Sequence, residues 1–327
     1  MTDQTPSQTV ADQHQPLVAN RTVWVDRFGD LDVIALSERP VPQAVDDEVL
    51  VRVAAASVNP VDWKTAAGDY PPKGADQLPF ALGRDLSGRI EALGTRAHNM
   101  LSVGDRVMAF IGQDRGAQAD YVVVKAVELV ATPAGVDDAT AAALPLAAIT
   151  AWQGLFDHGR LEAGQRVLIH GAAGGVGHLA VQFAVWKGAT VFGTAGARDL
   201  DYVRSLGVAR AINYERERFE DHATDLDLVF DTQGGETQAR SFAVLKKGGT
   251  MVSTLEPDEA KGHEMGIRTV PRWHAEPNGA QLAEVVDLVA AGTIKVAVDR
   301  TFAFDRVREA YAYTRDEHPR GKVVLTM

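Results

Sequence analysis

The chain has 327 residues, 46% of them hydrophobic and 24% charged, with a formal net charge of -11 and no cysteine. That length exceeds what one hydrophobic core usually organises, so two domains are expected. The acidic balance gives no general attraction to nucleic-acid phosphates, and the absence of cysteine removes disulfides, thiolate nucleophiles and cysteine-ligated zinc or iron-sulfur sites.

Residues 1–20 are polar and lack the apolar run of a signal peptide; they read as a disordered tail. No later stretch reaches the roughly 18 apolar residues of a membrane span, so a cytoplasmic protein with no membrane partner is expected. From Arg21 to Leu144 short β-rich runs at 22–25, 48–55, 86–93, 106–111 and 119–124 alternate with turn residues, the pattern of a small barrel or meander. From Pro145 the texture changes. A helix over 147–157 precedes an apolar strand at 166–170, a glycine-rich turn and a helix at 179–187. Strands at 190–193, 211–214, 226–231 and 250–254 then alternate with helices at 200–206 and 238–245, which predicts a doubly wound parallel sheet. After a helix at 279–291 the text turns β-like again, at 296–298 and 322–325, and these strands are placed to rejoin the first domain.

Gly171-Ala172-Ala173-Gly174-Gly175-Val176-Gly177 follows a strand and opens a helix, the context a dinucleotide turn requires. Gly174 lets the backbone approach a pyrophosphate, Gly177 allows close helix packing, and the helix N-terminus faces the phosphate charge at Gly175 and Val176. Ala172 stands where the first glycine of G-x-G-x-x-G belongs, so the strict motif fails at one position. The next strand ends without the acidic residue that would bond a ribose 2′-hydroxyl, while Thr194 and Arg198 offer groups for a 2′-phosphate; NADPH is the expected cofactor.

Ser57 to Asp62, Leu82 to Gly88 (Leu-Gly-Arg-Asp-Leu-Ser-Gly), Pro145 to Trp152, the glycine turn, Asp231 to Gly235 and Arg320 to Leu325 occur in one order along the chain. Together they resemble the medium-chain dehydrogenase/reductase superfamily, specifically its zinc-free quinone oxidoreductase and enoyl reductase branch. The resemblance implies an α/β protein with a GroES-like β-barrel catalytic domain over 21–144, completed by about 295–327, and a Rossmann domain over 145–294. A substrate cleft would lie between them. Zinc-dependent relatives carry an early Cys and a Gly-His-Glu where this chain has Gly83-Arg84-Asp85, so no metal is expected. Without a Lewis acid, alcohol oxidation loses its means of stabilising an alkoxide. Hydride addition to a C=C bond conjugated with a carbonyl needs less help, since the enolate can be hydrogen-bonded and protonated.

By the same resemblance Thr150 approaches the nicotinamide, Tyr214 flanks the 2′-phosphate and Lys322 serves the cofactor. Thr150 as a hydroxyl bonded to its own helix, and Tyr214 as a strand-end aromatic, are the structural alternatives. The segment from Asn59 to Pro71 resembles the one that carries a Tyr near the reacting carbon in enoyl reductases. Tyr70 is therefore the expected proton donor, with Lys64 a possible oxyanion stabiliser, Asn59 a partner of the substrate carbonyl or ribose, and Trp63 on the substrate side. Alternatively Tyr70 packs at a loop tip, Lys64 is solvated and Asn59 starts a turn. His158, His170 and His178 show no zinc-like spacing and read as residues satisfying local backbone. The long stretch 255–282 reads as a functional loop, with Trp273 lining the substrate pocket or the core. A homodimer paired through the sheet edge near Met251 to Thr254 is implied by the resemblance. A non-catalytic NADPH-binding protein, as lens zeta-crystallins suggest, remains the rival reading, with a metal-free alcohol dehydrogenase behind it.

Overall fold

The computed structural model describes residues 19–70, 75–97 and 101–327, so the tail expected over 1–20 lies, up to residue 18, outside the described residues. The first part of the chain runs through β1 (Asn20–Val25), β2 (Ala35–Arg39), β3 (Glu48–Val58), α1 (Pro60–Ala67), β4 (Phe80–Ala81), β5 (Asp85–Leu93), β6 (Arg106–Phe110), β7 (Tyr121–Lys125) and β8 (Leu129–Ala131). β3 is its organising strand. It is buried along most of its length, pairs antiparallel with both β5 and β7, and delivers the chain to α1. Pro60 starts α1 with its φ already helical, and Gly68 ends it at φ 83, a left-handed conformation that glycine adopts without strain.

The middle of the chain forms α2 (Asp138–Ala143), α3 (Pro145–Trp152), β9 (Arg166–Ile169), α4 (Gly177–Trp186), β10 (Thr190–Ala195), α5 (Leu200–Ser205), β11 (Arg210–Asn213), β12 (Leu226–Asp231), α6 (Gly235–Ser241), β13 (Leu245–Ser253), α7 (Glu259–Met265), β14 (Arg268–Thr269) and α8 (Gly279–Ala290). Its six strands make one parallel sheet in the order β11-β10-β9-β12-β13-β14. From β9 the chain first winds outward through β10 and β11, then crosses back to β12 on the other side. The carboxyl ends of β9 and β12 therefore flank the switch point where open α/β sheets bind ligands. The core beneath it joins Val167, Ile169, Leu179, Phe183, Phe230 and Val252.

The chain then returns through β15 (Val298–Ala303), α9 (Val307–Asp316) and β16 (Lys322–Thr326). β16 inserts between β15 and β3 in the seven-stranded sheet of the first part, and Val323, Val324 and Leu325 are wholly buried there.

Three expectations need correction. The strand expected at 296–298 runs instead over Val298–Ala303, and between it and the strand at 322–326 lies α9, unassigned from the sequence, burying Val307, Ala310 and Tyr311 at helical spacing among charged neighbours. The helix expected over 147–157 ends at Trp152 and continues as a wider π-helical turn, Gln153–His158, with Gly154 pressed against Phe230. The edge expected near Met251 to Thr254 is covered at Thr250 and Met251 by β14, so the outermost strand lies one further out. Among the described residues no helix is long and apolar enough to cross a membrane.

A Cβ added at Gly177 would stand 2.0 Å from the carbonyl oxygen of Gly171, which cannot yield without opening the turn. Gly177→Ala should therefore lower unfolding stability by about 1–3 kcal/mol, read from urea midpoints. A midpoint equal to the parent's would show that the turn is not packed as described.

Candidate active site

The glycine turn sits directly on β9 and opens α4. Gly171 takes φ +66, and its carbonyl accepts from Gly174 N–H at 2.9 Å. Ala172 is fully buried with its N–H on the Thr194 carbonyl at 2.9 Å. Its methyl, which breaks the strict glycine motif, lies against Gly193 of β10, where any side chain would collide with it. The glycine has in effect moved to the facing strand. Among the described residues the N–H groups of Val176 and Gly177 have no acceptor, while His178 N–H closes back on Gly174 and a parallel bridge between Gly174 and Gly321 engages the N–H of Gly175. Two free donors at the N-terminus of a ten-residue helix suit an anion such as a diphosphate.

Two histidines brace this turn. His178 Nε2 accepts from Ala297 N–H at 3.1 Å, so Nδ1 carries the proton and donates to Gly174 O at 2.9 Å. The hydroxyl of Ser241 donates to Thr237 O, so His170 donates to Ser241 from Nε2 at 2.8 Å and accepts from Thr194 Oγ1 at Nδ1. Burial lowers both rings to about 4, which keeps them neutral. The Thr194 hydroxyl also accepts from Gly171 N–H at 3.3 Å, so the structure places it under the turn, only 4% exposed.

At the outer end of β10, Arg198 donates to the carbonyls of Glu317 and His318 and to Asp199, which is itself held by Arg320 at 2.8 Å. Tyr214 is 62% exposed and stands beside Gly196. Sequence reading missed Glu215: its carboxylate accepts from Ala197 N–H at 3.4 Å, putting a negative charge at a strand end that carries no acid of its own. The signal was an acid in the turn after the neighbouring β11 rather than on β10.

A buried polar seam joins the two halves. Lys322 is 4% exposed, and its ammonium donates to Asn59 Oδ1 and, at 3.4 Å, to Val58 O; burial lowers its proton affinity. Its stem lies over Gly175, where a Cβ would stand 2.9 Å from Lys322 Cδ. Asn59 in turn donates to Asp85 at 3.2 Å and Ser57 at 3.1 Å. Asp85 also accepts from Ser57 Oγ at 2.5 Å and from Leu146 N–H, at the start of α3, at 3.3 Å. Thr150, one turn later, returns its hydroxyl to Leu146 O at 2.7 Å. Gly321 N–H reaches Ala173 O at 2.8 Å, completing the seam at the turn.

Tyr70 lies at the end of the α1 segment, its hydroxyl bonded to His274 Nδ1 and its ring under the Arg272 guanidinium at 4.8 Å. Desolvation raises the phenol and lowers the histidine, so a protonated phenol faces a neutral acceptor. The long stretch 255–282 thus reaches the first half of the molecule through residues 272 and 274, with α7 and β14 inside it. Lys64 is half-buried, its side chain without a hydrogen bond or ion pair among the described residues, and burial lowers its proton affinity. The two tryptophans are placed elsewhere: Trp63 packs edge-on against Tyr311, and Trp273 stacks on His158 with Nε1 buried and unbonded.

Beside Asn59 lies a second group that the sequence did not single out. Asp62 Oδ2 accepts from Asn59 N–H at 2.9 Å, Gln118 receives the Tyr311 hydroxyl at 2.7 Å, and Arg84 is buried near both. No group of three or more His, Asp or Glu able to hold a metal ion occurs among the described residues.

The chain matches the family model described as "Alcohol dehydrogenase GroES-like domain" over residues 45–134 and that described as "Zinc-binding dehydrogenase" over 206–325. It is 35% identical to an NADPH-dependent alkenal/one oxidoreductase, chloroplastic, of Arabidopsis thaliana, over 96% of this chain and 81% of that protein. It is 33% identical to a 2-methylene-furan-3-one reductase of Solanum lycopersicum, over 91% of this chain and 76% of that one. Among solved structures, the quinone oxidoreductase from Coxiella burnetii superposes with a TM-score of 0.87 at 32% identity, covering 95% of this chain and all of that chain.

Asp62 is wholly buried and its carboxyl is raised to about 7, mainly by desolvation, with the Asn59 N–H bond and Arg84 opposing. The folded chain holds a proton that the unfolded chain releases from about pH 4 upward, so stability falls as pH rises toward 7. Asp62→Asn lacks this titration. Its stability relative to the parent should climb by up to about 1.4 kcal/mol per pH unit over that window, measured by urea unfolding. Parallel pH profiles would contradict the assignment.

Proposed function

The chain belongs to the medium-chain dehydrogenase/reductase superfamily, in its quinone oxidoreductase and enoyl reductase branch, and from that premise we propose that it reduces carbonyl-conjugated C=C bonds or quinones with NADPH and without zinc. Two observations carry the reading: the free N–H groups of the glycine turn, and the protonated Tyr70 bonded to His274. Lys322 runs from Gly175 of the turn to Asn59, which caps the helix whose far end leads to Tyr70.

The residues present fit the cofactor: the turn has donors without acceptors, and a close backbone approach is open at Gly174, where a Cβ would meet nothing nearer than 3.3 Å. When bound, NADPH supplies a hydride from its nicotinamide ring. The chain's own task is then to orient the acceptor and to supply one proton. Tyr70 is suited to this, because burial keeps the phenol neutral at physiological pH while its oxygen is held by a hydrogen bond with His274. His274, exposed on its far side, would relay the replacement proton from solvent. Zinc independence rests on residue chemistry, since the chain has no cysteine and Arg84, a cation, stands between Gly83 and Asp85.

Purified protein mixed with NADPH and a panel of enones, enals and quinones should oxidise the cofactor, at a rate unchanged by prior dialysis against a chelator. Tyr70→Phe should lower kcat by about 10²-fold while leaving NADPH affinity intact. Tight NADPH binding with no acceptor consumed would instead select the nucleotide-binding role without catalysis. At the strand end, Glu215→Gln should tighten NADPH several-fold relative to NADH, as removal of one like charge near a 2′-phosphate requires. Equal affinities before and after would place that phosphate elsewhere.

A further inference from the structure

Among the described residues Lys322 and Arg84 are the buried Lys and Arg, and the two differ in their partners. Lys322 has Asn59 and Val58, and Arg115 has Glu128 at 2.8 Å. The side chain of Arg84, a residue only 6% exposed, makes no hydrogen bond and no ion pair within 4.0 Å among the described residues, and its Nη1 is buried without any acceptor. The neighbouring carboxylate, Asp62, turns its Oδ2 to Asn59 and Gln118 instead, and leaves Oδ1 equally unbonded. Holding an unpaired guanidinium away from water costs several kcal/mol unless an anion joins it.

The position is rigid as well as unsatisfied. Arg84 O accepts from Ile111 N–H at 2.7 Å, Gly83 O accepts from Ala117 N–H at 3.1 Å, and Gly83 takes φ +97 with its α-carbon packed against Gln118 N. The next residue, Asp85, is wired to Asn59 and through it to Lys322. The charge of Arg84 also acts to lower the proton affinity of both Tyr70 and His274, which are bonded to each other.

We infer that Arg84 is the oxyanion-binding residue of this cleft, taking the carbonyl oxygen of an α,β-unsaturated acceptor as that oxygen gains charge. The inference rests on the reductase reading above and adds to it the group that replaces a Lewis acid. As hydride adds to the β-carbon, the C=C π pair moves toward the carbonyl and the oxygen becomes an enolate oxyanion, met by the guanidinium N–H groups. The enolate then takes the Tyr70 proton at its α-carbon and the C=O bond re-forms. The acceptor is thereby reduced by two electrons and NADPH oxidised to NADP⁺. A fixed donor aimed where charge develops needs no reorganisation at the moment of reaction.

The test uses the full-length chain carrying Arg84→Met or Arg84→Lys. Without ligand, R84M should melt at a higher temperature than the parent, because an uncompensated buried charge is replaced by an apolar side chain of similar length. With but-3-en-2-one and NADPH its kcat/KM should fall by about 10²–10³-fold, with NADPH affinity, read by fluorescence, within twofold of the parent and R84K intermediate. A lowered melting temperature accompanied by lost NADPH binding would assign Arg84 a structural role, and undiminished turnover would remove it from the site. If the parent itself reduces no acceptor, the reductase reading fails. The anion site is then judged separately: butyrate should raise the melting temperature of the parent and leave that of R84M unchanged, and equal shifts would overturn the site.

Discussion

Lys322 comes from the last strand of the chain, lays its stem along Gly175 of the glycine turn, and places its ammonium on Asn59 and Val58 at the end of β3. Almost no water reaches it, so the bond cannot be exchanged for hydration at low cost. Asn59 is thereby fixed in one amide orientation, with Oδ1 toward the lysine and Nδ2 toward Ser57 and Asp85. Asp85 passes the constraint to the first turn of α3 through Leu146 N–H. A single chain of charge-assisted bonds therefore sets the spacing between the sheet that presents the turn and the barrel that presents Tyr70. Loosening any member would move the two halves relative to each other, which is how side chains remote from a reacting atom come to matter for its alignment.

Around that seam the cleft carries an uneven distribution of charge. Arg84 is buried and Lys64 half-buried, both with side chains unpaired among the described residues, while Arg272, over the Tyr70 ring, is paired with Glu256. The carboxylates nearby are either occupied, as Asp85 is, or held protonated by burial up to near neutrality, as Asp62 is. A site so arranged favours substrates that become negative over ones that become positive. The net charge of the whole chain runs the other way, so the preference is local and arises from burial.

Much of this could be read from residues in order. The parallel sheet was legible because its strands are short apolar runs separated by helical periodicity, and the glycine turn because Gly174 and Gly177 keep their spacing after an apolar strand. The reason Ala172 is tolerated was not legible, since its compensation, Gly193, belongs to another strand. The Tyr70–His274 contact spans 204 residues, and nothing local to either announces it. Helix α9 was missed because its charged residues dilute the apolar stripe that Val307, Ala310 and Tyr311 form. Arg84 was visible only as a departure from a metal-binding motif. That it lacks a partner is a property of burial, which no linear pattern carries.

The placement of β16 has a bearing on how the molecule is made. The strand that fills the middle of the barrel sheet, between β15 and β3, consists of residues 322–326 of 327. Those residues are synthesised after every other described element, so the dinucleotide-binding half can collapse around its own sheet while the earlier-synthesised barrel still waits with one flank of β3 unpaired. The half made first is thus the half finished last. During that interval its open strand is the part of the nascent chain with most need of shelter from neighbouring polypeptides.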